Sequence, residues 1–173
     1  MLSHMPELAD PWRLIDLRKC FSGQLAQKAF PRLVEAVEQA DRTVDFVLNF
    51  DKDGGGHAIV QGEVKTVLDM ACQRCFKPVA VAIDSSFVLG LVTTDAEAER
   101  LPEELDPVIV GEEPIKLQDW LEDELLLSLP QFPMHGQDEC HAEFKAEPPS
   151  LPDDDGTKTD NPFAALAALK EKK

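Results

Sequence analysis

Alternation of apolar and polar positions dominates the middle third of the chain and predicts strands there. Over 43–50, Val44, Phe46, Leu48 and Phe50 alternate with Thr43, Asp45, Val47 and Asn49, the two-residue period of a strand with one buried face. The run Asp51-Lys52-Asp53-Gly54-Gly55-Gly56 then reads as a turn, because glycine accepts the positive φ that hairpin turns need. Beyond it, Val60, Val64, Thr66, Leu68, Met70 and Cys72 share one face, opposite Gln61, Glu63, Lys65 and Asp69. After Cys72-Gln73-Arg74-Cys75 the alternation resumes at Val79, Val81, Ile83, Phe87, Leu89 and Leu91. Three strands joined by short turns predict an antiparallel meander whose apolar face needs a cover.

Helical spacing supplies that cover. Leu25, Ala29, Leu33, Ala36, Val37 and Ala40 predict a helix over 24–40, with Pro31 marking a break or a fresh start. Leu117, Trp120, Leu121 and Leu125 form a second stripe, with Gln118, Glu122 and Asp123 away from it. Pro130 ends that helix, and Trp120 is expected to anchor the core rather than stack on a ligand. Trp12 to Leu17 reads as a short strand, and Pro107-Val108-Ile109-Val110 as another inside the acidic excursion 95–113. That excursion is either a solvated loop or a docking surface for cations. The expected fold class is α+β: an antiparallel β-meander or sheet covered by two or three helices.

Composition divides the chain. Residues 1–142 carry the patterns above and are expected to form a single domain. Residues 143–160, rich in Pro, Asp, Glu, Gly and Lys with Asp153-Asp154-Asp155 at the centre, bury too little apolar area to fold and predict a disordered acidic linker. In 161–173, Asn161 suits an N-cap and Pro162 the first helical position. Phe163, Leu166 and Leu169 supply a small apolar surface. A helix this short needs a dock, so Asn161, Pro162, Phe163, Leu166 and Leu169 are candidate contacts with either the chain's own domain or a partner.

Charge narrows the partners. The 33 Asp+Glu against 17 Lys+Arg give a formal net charge of -16, which repels phosphate backbones and favours a basic protein such as a ribosomal protein. The alternative is that the charge serves solubility alone. The opening MLSHMPELADPWRLIDL has no basic leader followed by an apolar run, so no secretory signal is expected. Apolar stretches such as Leu125–Leu127 fall well short of the ~20 residues a membrane span needs. A cytoplasmic protein without a membrane partner is expected. No phosphate-cradling glycine loop and no Gly-x-Ser-x-Gly elbow are present. The four histidines (His4, His57, His135, His141) sit near termini or in loops. The chain reads as a non-enzyme with no small-molecule substrate.

The cysteines carry the candidate chemistry. Cys72 and Cys75 sit two residues apart in a turn between strands, and His135 with Cys140 forms a second pair downstream. Sulfur and nitrogen donors in this pattern suit one structural zinc, with Arg74 favouring the thiolates' charge. His141 is an alternative fourth ligand and Cys20 a more remote one. Four protein ligands would leave no open position for activated water. Two readings stay open beside zinc: plain core cysteines with an incidental downstream pair, and a redox pair.

These residues resemble the YceD family, the large ribosomal RNA subunit accumulation proteins. The resemblance is carried by CQRC with Lys77-Pro78 and the strand to 91, LPEELDPVIV (101–110), WLEDELLLSLPQFPMH with Glu139-Cys140, and the closing NPFAALAALK (161–170). It covers roughly 12–173 and implies a role in the synthesis, processing or stability of 23S ribosomal RNA without a catalysed reaction. In some relatives the downstream segment holds a fuller cysteine cluster, and His135 stands where such a cysteine would be expected. The leading expectation is an assembly factor that contacts a basic ribosomal protein or a pre-large-subunit particle. The second is direct RNA binding by a zinc knuckle through Arg74, Lys77 and Lys65.

Overall fold

The computed structural model describes residues 5–136, 139 and 140. Its framework is one five-stranded sheet whose strands lie side by side in chain order: β1 (Cys20–Ala26), β2 (Thr43–Lys52), β3 (Ala58–Ala71), β4 (Pro78–Val92) and β5 (Asp106–Ile109). β1 to β4 are antiparallel, and β5 joins β4 in parallel. Among the described residues they are accompanied by the helices α1 (Pro11–Asp16), α2 (Pro31–Ala36), α3 (Asp95–Ala98) and α4 (Leu117–Leu127). The α+β class read from the sequence is the fold observed.

The central strands follow their alternation. Register pairs Leu48 with Gly62 and Phe50 with Val60 across β2–β3, and Leu68 with Val81 across β3–β4. Val44, Leu48, Phe50, Val60, Val64 and Leu68 are buried with Leu117, Leu121 and Leu125 of α4. Each such side chain contributes about 1.5–3 kcal/mol of apolar burial, so α4 is held by its stripe. Trp120 is half-buried, with its ring centroid 6.5 Å from that of Phe50, which makes it the core anchor expected.

Gly62 sits beneath the Phe87 ring: a Cβ there would lie 2.0 Å from the ring's Cζ. Because Phe87 is itself 8% exposed, the ring has little room to yield. Gly62→Ala is therefore expected to cost about 1–3 kcal/mol by overpacking, measured by urea unfolding.

Three expectations are corrected. Residues 12–16 lie in α1, with Leu17 as its C-cap, rather than in a strand. Asp10 Oδ1 accepts the N–H groups of Trp12 (3.0 Å) and Arg13 (3.3 Å), and Pro11 takes the first helical position. The helix over 24–40 is replaced by β1, a 3₁₀ turn (Gln27–Ala29) and the six-residue α2. Pairing of β1 with β2 over seven residues outweighs helical propensity, and Pro31 starts α2. At the junction the buried Gln27 side chain donates to Thr66 Oγ1 and Val67 O, both at 2.9 Å, which pins the turn to β3. The third correction concerns Glu122, expected on the polar face of its helix but only 3% exposed. Its Oε1 accepts the α2 N–H groups of Arg32 (2.7 Å) and Leu33 (3.1 Å), and its Oε2 accepts Arg32 Nε at 3.0 Å. Phe30, at the N-cap of α2, supplies no side-chain cap, so Glu122 caps that helix from another element.

The sheet extends beyond the expected meander. The connection from β4 to β5 lays Leu101 and Leu105 over Gly90, where a Cβ would meet Leu101 Cδ1 at 2.6 Å. All eight acidic residues of this excursion (Asp95, Glu97, Glu99, Glu103, Glu104, Asp106, Glu112, Glu113) are exposed. The linker over 143–160 and the helix over 161–173, with its five candidate contacts, lie outside the described residues.

Candidate metal centre

β3 and β4 pair out to Ala71 opposite Pro78, which carries Cys72–Lys77 to the apex of a long hairpin. Cys72 N donates to Lys77 O (2.9 Å) and Phe76 N donates to Cys72 O (2.8 Å), closing a tight loop. The loop requires a left-handed residue after the second cysteine, and Phe76 fills it at φ 56°.

The segment after α4 returns to this loop as a strap. Gln73 N donates to Pro133 O at 2.9 Å. Arg74 Nη2 donates to the carbonyls of His135 (3.3 Å) and Gly136 (3.2 Å). His135 Nε2 lies 2.9 Å from Pro78 O, and a carbonyl only accepts, so Nε2 carries the proton and Nδ1 presents its lone pair. That nitrogen faces Cys75 Sγ at 3.4 Å, while Cys72 Sγ and Cys140 Sγ stand 3.9 Å apart.

The donor atoms of Cys72, Cys75, His135 and Cys140 all lie within 4.8 Å of one another. Around a tetrahedral zinc, sulfurs at about 2.3 Å and a nitrogen at about 2.0 Å are separated by about 3.8 Å (S···S) and about 3.5 Å (S···N). The Cys72–Cys140 edge of 3.9 Å and the Cys75–His135 edge of 3.4 Å match those values, and three sulfurs with one imidazole form an ordinary zinc donor set. The Nε2–Pro78 bond is the kind of outer contact that orients a histidine ligand. The four residues named from the sequence are therefore together and can hold a metal. Cys20 is not among them, and His141 lies outside the described residues.

Electrostatics around the sulfurs favour a cation. Burial raises the Cys72 thiol, but N–H groups of His135, Arg74 and Cys75 outweigh it and bring it down to about 5. Cys75 moves the other way: the Lys77 N–H lowers it, while burial and the neighbouring sulfurs of Cys140 and Cys72 push it up. Several thiolates this close repel one another unless a cation joins them. The Arg74 guanidinium, held charged first of all by Cys140, supplies part of that positive charge. Its Nε is buried without a hydrogen-bond partner, and its Nη2 is committed to the strap, so Arg74 faces the clasp. Lys77 is exposed. Lys65, on the open face of the sheet, pairs with Asp84 at 3.2 Å.

Residues 60–170 match the family described as Large ribosomal RNA subunit accumulation protein YceD. A Haemophilus influenzae protein of that same name is 31% identical over 169 residues, covering 97% of each chain. The chain belongs to the YceD family. No solved structure matches it. The stretch shared with the family includes the whole four-residue cluster, both the hairpin apex of β3–β4 and the strap.

At the opposite end of the sheet a cleft of about 470 Å³ is lined by Trp12, Ile15, Leu91 and Leu101 among others. His57 lines it and is held by Asp53 Oδ2 at 2.8 Å. Thr93, a hydroxyl in the lining, donates to Glu97 at 2.8 Å, so it is not activated by His57. Among the described residues no helix is long and apolar enough to cross a membrane.

Proposed function

We propose that this protein is a cytoplasmic, non-catalytic ribosome biogenesis factor that supports accumulation of 23S ribosomal RNA by holding a basic ribosomal protein or a pre-large-subunit particle. The observation that carries the reading is membership of a family described by large ribosomal RNA accumulation. A net charge of -16, with the exposed acids of 95–113 along one sheet edge, favours a cationic partner and disfavours bare RNA.

One zinc held by Cys72, Cys75, His135 and Cys140 serves a structural role, since four protein ligands leave no position for a reacting water. The chain's own groups then do the rest: the hairpin apex and the strap are fixed to each other, and the acidic edge is presented on a rigid sheet.

Tagged protein is expected to sediment with precursors of the large subunit, and this association is expected to weaken as salt rises. Migration at the top of the gradient at every salt concentration would remove the proposal. Direct RNA binding through Arg74 and Lys77 is disfavoured by the inward orientation of Arg74, which leaves Lys77 as the exposed cation of the pair.

A further inference from the structure

We infer that the metal-clasped hairpin apex is a second docking point, an apolar tip that receives a hydrophobic anchor from a protein segment flanked by cations. The tip is built from both halves of the clasp. Phe76 is 78% exposed on the hairpin loop, and Phe132 (69%) and Met134 (55%) are exposed on the strap. The Gln73–Pro133, Arg74–His135 and His135–Pro78 hydrogen bonds keep the two segments side by side.

The fold does not explain Phe76. A bulky side chain at φ 56° is disfavoured where glycine would be at ease, and its ring gains almost no burial in return. A strained residue that presents an aromatic ring to solvent is a sign of contact with something else. Phe and Met are also the residue types that interface centres favour.

Charge selects the occupant. Neither 70–81 nor 129–136 contains an acidic residue; of the two cations there, Lys77 is exposed and Arg74 is bonded to the strap carbonyls of His135 and Gly136. Exposed Glu38 and Glu139 stand at its margin, placed there by the bonds of Glu38 N to Asp69 O (2.7 Å) and Glu139 N to Gly136 O (3.3 Å). An apolar centre with an acidic rim fits an amphipathic basic protein segment. Nucleic-acid interfaces are strongly cationic, and one exposed lysine does not make one.

The tip lies at the Pro78 end of β4 and the acidic excursion at its Val92 end, roughly 45 Å apart along a 15-residue strand. The two surfaces therefore contact different parts of a partner. This inference rests on the reading that the partner is a ribosomal protein, and the test separates the two.

Full-length zinc-loaded protein is immobilised and exposed to the proteins stripped from purified large ribosomal subunits by high salt, with retained species identified by mass spectrometry. The wild type is expected to retain one or more basic ribosomal proteins. Phe76→Gly, which relieves the backbone and leaves the ligands in place, is expected to retain at least tenfold less while keeping its zinc and its melting temperature. Phe132→Ala is expected to act in the same direction. Equal retention by Phe76→Gly and wild type overturns the tip, as does retention of RNA fragments or of a second copy of the chain in place of a ribosomal protein. Failure of the wild type to retain any ribosomal protein overturns the partner reading itself.

Discussion

Protein purified without chelator is expected to carry one zinc ion per chain and to lose it, with part of its thermal stability, when Cys72 or Cys140 is replaced by serine. The two residues come from opposite halves of the clasp, so either change removes a vertex of a site whose sulfur edge is 3.9 Å. A ligand present at about a thousand times its Kd contributes enough linkage free energy to shift the melting temperature of a domain this size by about 10–15 °C. The core of Leu48, Phe50, Val60, Leu121 and Leu125 does not include the clasp. The variants are therefore expected to stay folded, with faster proteolysis confined to the strap between Leu129 and Cys140. Elemental analysis with calorimetry checks both parts. Zinc-free wild type that melts with the holo-protein would contradict the structural role.

Glu122→Ala is expected to lower stability by about 2–3 kcal/mol in urea unfolding with an unchanged m value, because the buried N–H of Leu33 and the start of α2 lose their acceptor together. The pair with Arg32 is half outside: the arginine side chain is 51% exposed and the carboxylate 4%. Most of the loss thus comes from unsatisfied backbone donors and a smaller part from the ion pair. Glu122→Gln, which keeps one acceptor oxygen, is expected to fall between wild type and alanine. A change under about 0.5 kcal/mol for alanine, the range of an ordinary surface substitution, would show that α2 is capped some other way.

The sequence made some elements legible for definite physical reasons. β2, β3 and β4 were readable because one face of each is buried and a two-residue period follows directly from the pleat. The four residues of the candidate metal site were readable because cysteine and histidine pairs are distinctive residue types, although only the fold shows them converging. β1 was hidden because Leu25, Ala29 and Leu33 fall at helical spacing by coincidence, while its burial is slight beyond Phe21. α1 does carry a local signal, an Asp-Pro start at Asp10-Pro11 of the type that caps helices, against which the apolar alternation of Leu14 to Leu17 competes. Glu122 was invisible because it sits in an acidic run with Asp119, Asp123 and Glu124 whose other members face outward or lie half-buried. Nothing local distinguishes the one that turns inward to meet α2 from 90 residues away. Phe76 was similarly silent, since its exposure and its left-handed backbone are properties of the folded loop.

The central claim, that the protein sustains large-subunit RNA without reacting on it, is tested most directly in cells depleted of the native protein and supplied with defined variants. The ratio of 23S to 16S ribosomal RNA is expected to fall on depletion and to be restored by wild type. Restoration is also expected from a variant of the cleft histidine, His57→Ala, but not from Cys72→Ser. An unchanged ratio on depletion, or a requirement for His57 equal to that for Cys72, would contradict the account.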